Sequence, residues 1–183
     1  MNRSLVVAVA QIEPSDVAGT FMRHQAMSRR GLSGSSGGGR WGRPGAYSVL
    51  YLGQPESAII AEAYKLLVDP VEGMTAESVK QRRYLTCSVD VANIIDLRDA
   101  NDQVAVGLNP PAITGPHGPC QSVGEAAHQL GAAGILAPCA AGVPGETLAL
   151  FLENLPPDRF PTLLSADVWL ALPPDPRRGP PVP

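Results

Sequence analysis

Apolar and polar positions change rhythm several times along the chain, and the changes mark its elements. "YSVLYL" (residues 47–52) has the aromatic and β-branched composition of a strand. "SAIIAEAYKLLV" (57–68), apolar almost throughout, follows as a helix. Pro55 opens that helix where its missing N–H loses no hydrogen bond, and Glu56 suits the positive N-terminal end. Pro70 disfavours helical geometry at Asp69, so the helix is expected to end near Val68. "RRYLTCSVDV" (82–91) predicts a second strand, alternating in its later half, and "NIIDL" (93–97) a short turn of helix. Residues 98–119 read as loop, and "QSVGEAAHQLG" (121–131) as a helix capped by Gly131. "AAGILAP" (132–138) predicts a short buried strand and "ETLALFLENL" (146–155) another.

The ends and the early loop complete the pattern. The apolar run at residues 5–12 is expected to be a short first strand; Glu13 and Asp16 follow it without a small-residue cleavage site, which argues against a signal peptide. "LSGSSGGGR" (32–40) reads as a flexible Gly/Ser loop ending on Arg40. Residues 172–183, Pro-rich, are expected to be an unpacked tail behind one domain spanning 1–171. Strands interleaved with helices through irregular connections predict an α+β fold, a compact mixed sheet core flanked by helices. The spacing does not suit a doubly wound nucleotide fold, and no Gly-rich phosphate-loop motif is present.

Composition narrows the function classes. With 183 residues and 44% hydrophobic content, the chain is long enough for one core. A net charge of −3 gives no basic footprint for direct binding of nucleic acid or an anionic membrane. No apolar run approaches the ~20 residues of a membrane span. Three cysteines at wide spacing, 87, 120 and 139, do not form a disulfide framework and fit a reducing, cytoplasmic setting.

Glu62 is the residue that calls for a reason. Its neighbours one helical turn away are Ala58, Ile59, Lys65 and Leu66, three of them apolar. A surface Glu paired with Lys65 is the plainer reading. Upstream, however, Arg23, Arg40 and Arg43 flank the flexible loop, with Trp41 and Tyr51 near them. Arginines suit phosphate, a ring suits a planar heterocycle, and a carboxylate suits a developing cation. Other sets carry chemistry in principle. Cys139 with His128 makes a thiol–base pair, although a small buried residue is the commoner role of such a cysteine. His117, Cys120, His128 and Cys139 make a zinc candidate whose spacing matches no standard pattern. His24, beside Arg23, is either a ligand contact or a polar neighbour.

The blocks "FMRHQ", "GGRWGRPGAYSVLYL", "SAIIAEAY", "YLTCSVDVANIIDL" and "GAAGILAPCAA…ETLALF" follow one another between residues 21 and 152. In that order they resemble the RES-domain family, named for an Arg, a Glu and a Ser and best known as toxins of bacterial toxin–antitoxin pairs. The resemblance places the Arg on Arg40 and the Glu on Glu62 as catalytic residues. It places an earlier arginine on Arg23 and a strand tyrosine on Tyr51, with Trp41 beside them, as substrate-binding residues. It places the third named position, also substrate-binding, on Cys139: where the family has Pro-Ser this chain has Pro138-Cys139, and a thiol is the weaker hydrogen-bonding group. The resemblance implies a fold similar to ADP-ribosyltransferase toxins and cleavage of the nicotinamide–ribose bond of NAD, with water or phosphate as acceptor. Transfer of ADP-ribose to a protein, or a weakened enzyme that mainly binds an antitoxin, are the alternatives. It further implies NAD as substrate with no metal or resident cofactor, phosphate as a co-substrate, and a helix-turn-helix DNA-binding antitoxin as partner.

Overall fold

The computed structural model describes residues 3–178. Its helices are α1 (Arg3–Ala10), α2 (Glu56–Leu67), α3 (Ala100–Ala105), α4 (Pro110–Thr114) and α5 (Gly118–Gln129). Its strands are β1 (Ser15–Ala26), β2 (Val49–Gln54), β3 (Arg82–Asp96), β4 (Gly134–Pro138), β5 (Glu146–Phe151) and β6 (Thr162–Trp169). The α+β class expected from the sequence is the class observed.

The strands form one mixed sheet in the order β1-β2-β5-β4-β3-β6, and β1 also pairs with β3. The first five therefore curl back on themselves, with β6 added outside along β3. The closure is uneven. β1 runs antiparallel to β3 from Ser15↔Ile94 to Ala26↔Arg82, but meets β2 at one pair, Met22↔Gly53. Beyond that pair the two strands part, and the residues flanking the gap line a cavity.

Alternation divides the sheet residues between two cores. Val49 of β2 with Ala149 and Phe151 of β5 faces one cluster, which α5 and α1 complete through Val123, Ala127 and Val9. Leu50, Leu52, Leu148 and Leu150 face the other, with Phe21, Val89 and Val91. α2 lays Ala58, Ile59, Ala61, Ala63 and Tyr64 on the protein, with Glu56 in its first turn and Lys65 in its last, as the helix dipole favours. At the end of α5, Ala132 N donates to Ala127 O (3.1 Å) and Gly131 N to His128 O (3.0 Å), with Gly131 at φ 80°. This double bond pattern is the Schellman stop, and glycine reaches its left-handed φ without a Cβ clash.

Five expectations are corrected. The run at residues 5–12 is helical: Val9 is fully buried, Leu5 and Val6 pack beside it, and Val7 faces outward, a helical rather than alternating spacing. "NIIDL" continues β3, because Ile94, Ile95 and Asp96 pair in parallel with β4 after Asn93 turns the chain at φ 62°. Residues 98–119 contain α3 and α4, capped by Asp99 (to Asn101 N, 2.7 Å) and Asn109 (to Ala112 N, 3.0 Å). The Gly/Ser loop is tied to β2, with Ser35 N donating to Val49 O (2.9 Å) and Val49 N to Ser35 O (3.1 Å). Within the tail, Leu172 is buried and Arg177 pairs with Asp69 at 2.6 Å; the ion pair and the apolar contact against α2 hold it down. Residues 179–183 lie outside the described part.

Candidate active site

Glu62 stands in the middle of α2, half-buried, and its Oε1 accepts a hydrogen bond from Thr147 Oγ1 at 2.7 Å. Thr147 is on β5 opposite Gly53, so sheet register brings it under the helix. Burial raises the carboxyl pKa above the ordinary glutamate value; Thr147, Cys139, Arg40 and Lys65 oppose that shift. Lys65 is not the surface partner that helical spacing suggested. Its Nζ donates to Thr114 O (2.8 Å) and Ala140 O (2.5 Å).

Arg40 reaches from the Gly-rich loop, its Nη1 donating to Gly115 O at 3.1 Å and, more weakly, to Ala112 O at 3.4 Å. The segment read as featureless loop thus supplies the carbonyls that orient both Arg40 and Lys65. Arg23, one residue past the last β1–β2 pair, donates from Nη1 to Ser33 O at 2.9 Å. Its Nε is buried without a hydrogen-bond partner. Burial, with Arg29 and Arg82 nearby, brings this guanidinium down to about 10. Tyr51 Oη accepts from Trp41 N at 2.9 Å, and burial pushes the phenol up to about 12. The loop closes over that hydroxyl at Gly39, where a Cβ would come within 2.6 Å of it.

These groups share a cavity of about 500 Å³. Its wall carries Arg23, Arg29, Arg40, Lys65 and Arg82, and Glu62 is the single carboxylate among its lining residues. None of these five cations makes an ion pair among the described residues. Low-dielectric walls lined by one sign of charge concentrate an oppositely charged ligand.

Of the residues singled out in the sequence, Arg23, Arg40, Tyr51 and Glu62 come together around one hollow, whereas Trp41 and Cys139 are packed away from its open face. Trp41 is 1% exposed, packed in the core with its carbonyl accepting from Tyr47 Oη at 2.7 Å, so no ring face is open for stacking. Cys139 is 4% exposed and sits behind the carboxylate, Sγ 3.8 Å from Glu62 Oε1 and 3.9 Å from Ala58 O. Burial and the Glu62 charge push its thiol up to about 11, so it is a neutral neighbour of Glu62 rather than a substrate contact. Arg43 turns away to Glu125 and Ser122. The rival sets are dispersed. His128 stacks on Tyr47 at 4.0 Å, Cys120 donates to Ala112 O, and no group of three metal-binding side chains converges among the described residues. His24 accepts from Arg82 at Nδ1 (3.1 Å), and burial with the arginine charges lowers it to about 3. Sequence reasoning missed Thr147, Arg29, Arg82 and the positioning of Lys65; the β2–β5 pairing brings in Thr147, the β1–β3 pairing Arg82, and the Thr114 and Ala140 carbonyls place Lys65.

A carboxylate held by Thr147 in a hollow lined by five cations, with a tyrosine at its wall, has the chemistry to hold an anionic ligand and to steady a developing positive charge. The chain belongs to the RES domain family, whose family model matches residues 16–171. Over 159 residues it is 30% identical to the NAD(+) phosphorylase MbcT of Mycobacterium tuberculosis and to that of Mycobacterium bovis, the match covering 84% of this chain and 84% of each relative. It is also similar to the crystal structure of the M. tuberculosis MbcT–MbcA toxin–antitoxin complex, with TM-score 0.80 and 28% identity over 92% of this chain and 93% of that one.

Proposed function

We propose that this protein cleaves the nicotinamide–ribose bond of NAD with inorganic phosphate as acceptor, and that it is the toxin of a toxin–antitoxin pair. The observation that carries the reading is Glu62, held by Thr147 at 2.7 Å inside an otherwise cationic cavity. The bond from ribose C1″ to the pyridinium nitrogen breaks and its electron pair leaves with nicotinamide, which becomes neutral. Positive charge develops on the ribose, and the ionised Glu62 carboxylate stabilises it while accepting from a ribose hydroxyl. A phosphate oxygen bonds to C1″, giving ADP-ribose 1″-phosphate, and the phosphate proton passes to water. The leaving group is neutral, so no general acid is needed. Tyr51 walls the nicotinamide end, and the arginines hold phosphoryl groups.

The MbcT relatives named as NAD(+) phosphorylases support phosphate over water as the acceptor. An antitoxin partner is supported by the toxin–antitoxin complex among similar structures; that it is a helix-turn-helix DNA-binding protein rests on the family resemblance. A cytoplasmic setting is read from the substrate and from three free, buried cysteines. No helix among the described residues is long and apolar enough to cross a membrane.

The test is NAD consumption by the purified protein with and without phosphate. Phosphate-dependent loss of NAD with ADP-ribose 1″-phosphate as product is expected. Equal rates in both buffers with ADP-ribose as product would make it a hydrolase, and a folded protein without turnover would remove the NAD-cleaving claim.

A further inference from the structure

The cavity holds more positive charge than the diphosphate of one dinucleotide requires, and that charge is split. Arg40 and Lys65 flank Glu62 and are both fixed by carbonyls at the end of α4, Gly115 and Ala112 for Arg40 and Thr114 for Lys65. Arg23, Arg29 and Arg82 gather elsewhere on the wall, where β1 ends against the start of β3 at Ala26↔Arg82. The electrostatic neighbours agree with this division. Glu62 feels Arg40 and Lys65, whereas Arg23 feels Arg29 and Arg82. In the second group His24 is neutral and accepts from Arg82 at 3.1 Å, and Arg23 Nε is buried without a partner. Glu62 is the one carboxylate lining the cavity and stands with the first group, without ion-pair contact to it; the second group makes no ion pair among the described residues.

We infer that these are two anion subsites: Arg23, Arg29 and Arg82 take the diphosphate of the dinucleotide, and Lys65 with Arg40 takes the attacking phosphate. The inference rests on the phosphorolysis proposed above. Its geometry follows from the reaction. The nucleophile must come within about 3–3.5 Å of C1″, which lies at Glu62, whereas the diphosphate is a whole ribose away. An anion brought beside a carboxylate is repelled unless cations offset that charge, and Lys65 and Arg40 are the cations present there. Two of the ammonium protons of Lys65 are engaged by the Thr114 and Ala140 carbonyls, which fix Nζ and leave a third donor for a phosphate oxygen. Lys65 is thus the residue that selects phosphate over water.

The experiment compares Lys65→Gln with Arg82→Gln, varying NAD and phosphate independently and titrating ADP-ribose by calorimetry. Lys65→Gln is expected to raise the KM for phosphate about tenfold, the loss of one charge-assisted bond, with the KM for NAD unchanged within about twofold. The share of product released as ADP-ribose rises with it. Arg82→Gln is expected to do the reverse, weakening ADP-ribose and NAD and leaving the phosphate KM unchanged. Equal weakening of ADP-ribose by both variants, or an unchanged phosphate KM in Lys65→Gln, would overturn the division. The ADP-ribose titration needs no turnover. An inactive wild type would therefore count against the proposed reaction, while the titration alone would still decide the inference for the diphosphate subsite.

Discussion

Helix α2 carries its charges into two different settings. Just past its C-terminal end, Asp69 meets Arg177 at 2.6 Å, and the same guanidinium holds buried Asp175 at 2.8 Å and lies over the Tyr64 ring at 5.7 Å. Every charge there is answered, and the result is a clamp that fastens residues 172–178 to the helix. One turn inward, Lys65 and Glu62 meet carbonyls and a hydroxyl, with no opposite charge in hydrogen-bond contact. The difference teaches which charges are structural. Answered charge holds the chain, and unanswered charge in a hollow is available to a ligand.

The two settings also have opposite pH signs. Arg177 holds the Asp69 and Asp175 carboxyls below their ordinary values, so the stability they add is present above the usual aspartate pKa and fades as pH falls through the lowered values. Burial raises Glu62, so its ionisation costs stability, and that cost appears as pH rises from the ordinary glutamate value through the raised one. The acid limb of kcat/KM for NAD should accordingly lie above the ordinary glutamate pKa.

Exchanging charges in each region breaks the comparison most sharply. Glu62→Gln should lower nicotinamide release about a hundredfold or more while leaving the protein folded. Arg177→Ala should do the converse. Urea unfolding should show a loss of about 1–3 kcal/mol, because buried Asp175 loses its main partner, with nicotinamide release near the wild-type rate. Thr147→Val should be milder, lowering kcat about tenfold by freeing the carboxylate. It should also move the acid limb to higher pH, since the Thr147 hydrogen bond lowers the Glu62 pKa. Asp69→Asn should have the smallest effect, about 0.5–1 kcal/mol, for Asp69 is largely open to solvent. That loss should vanish when unfolding is measured below the lowered pKa of Asp69.

The same two regions show what the sequence carries. Glu62 is legible because a carboxylate inside an apolar helical run demands a reason, and Tyr51 because its strand is unmistakable. Trp41 misleads because it neighbours Arg40 in sequence and borders the same cavity, yet its ring is packed into the core at 1% exposure. Thr147 and Arg82 have no local signal, since only the β2–β5 and β1–β3 registers bring them to Glu62 and Arg23. The helix at residues 3–10 is illegible for another reason. With nearly every position apolar, the exposed Val7 cannot be told from the buried Val9 until α5 is in place. The tail clamp was hidden by its prolines, which mark the absence of regular structure and not the absence of packing.

The most direct test of Glu62 as the working carboxylate is nicotinamide release from NAD in phosphate buffer by wild type and Glu62→Gln, with the melting temperature of each at neutral pH. The account predicts that release is lost in the variant while its melting temperature does not fall below that of the wild type, because a raised-pKa carboxylate no longer has to ionise inside the protein. Release at the wild-type rate by a folded Glu62→Gln protein would contradict it.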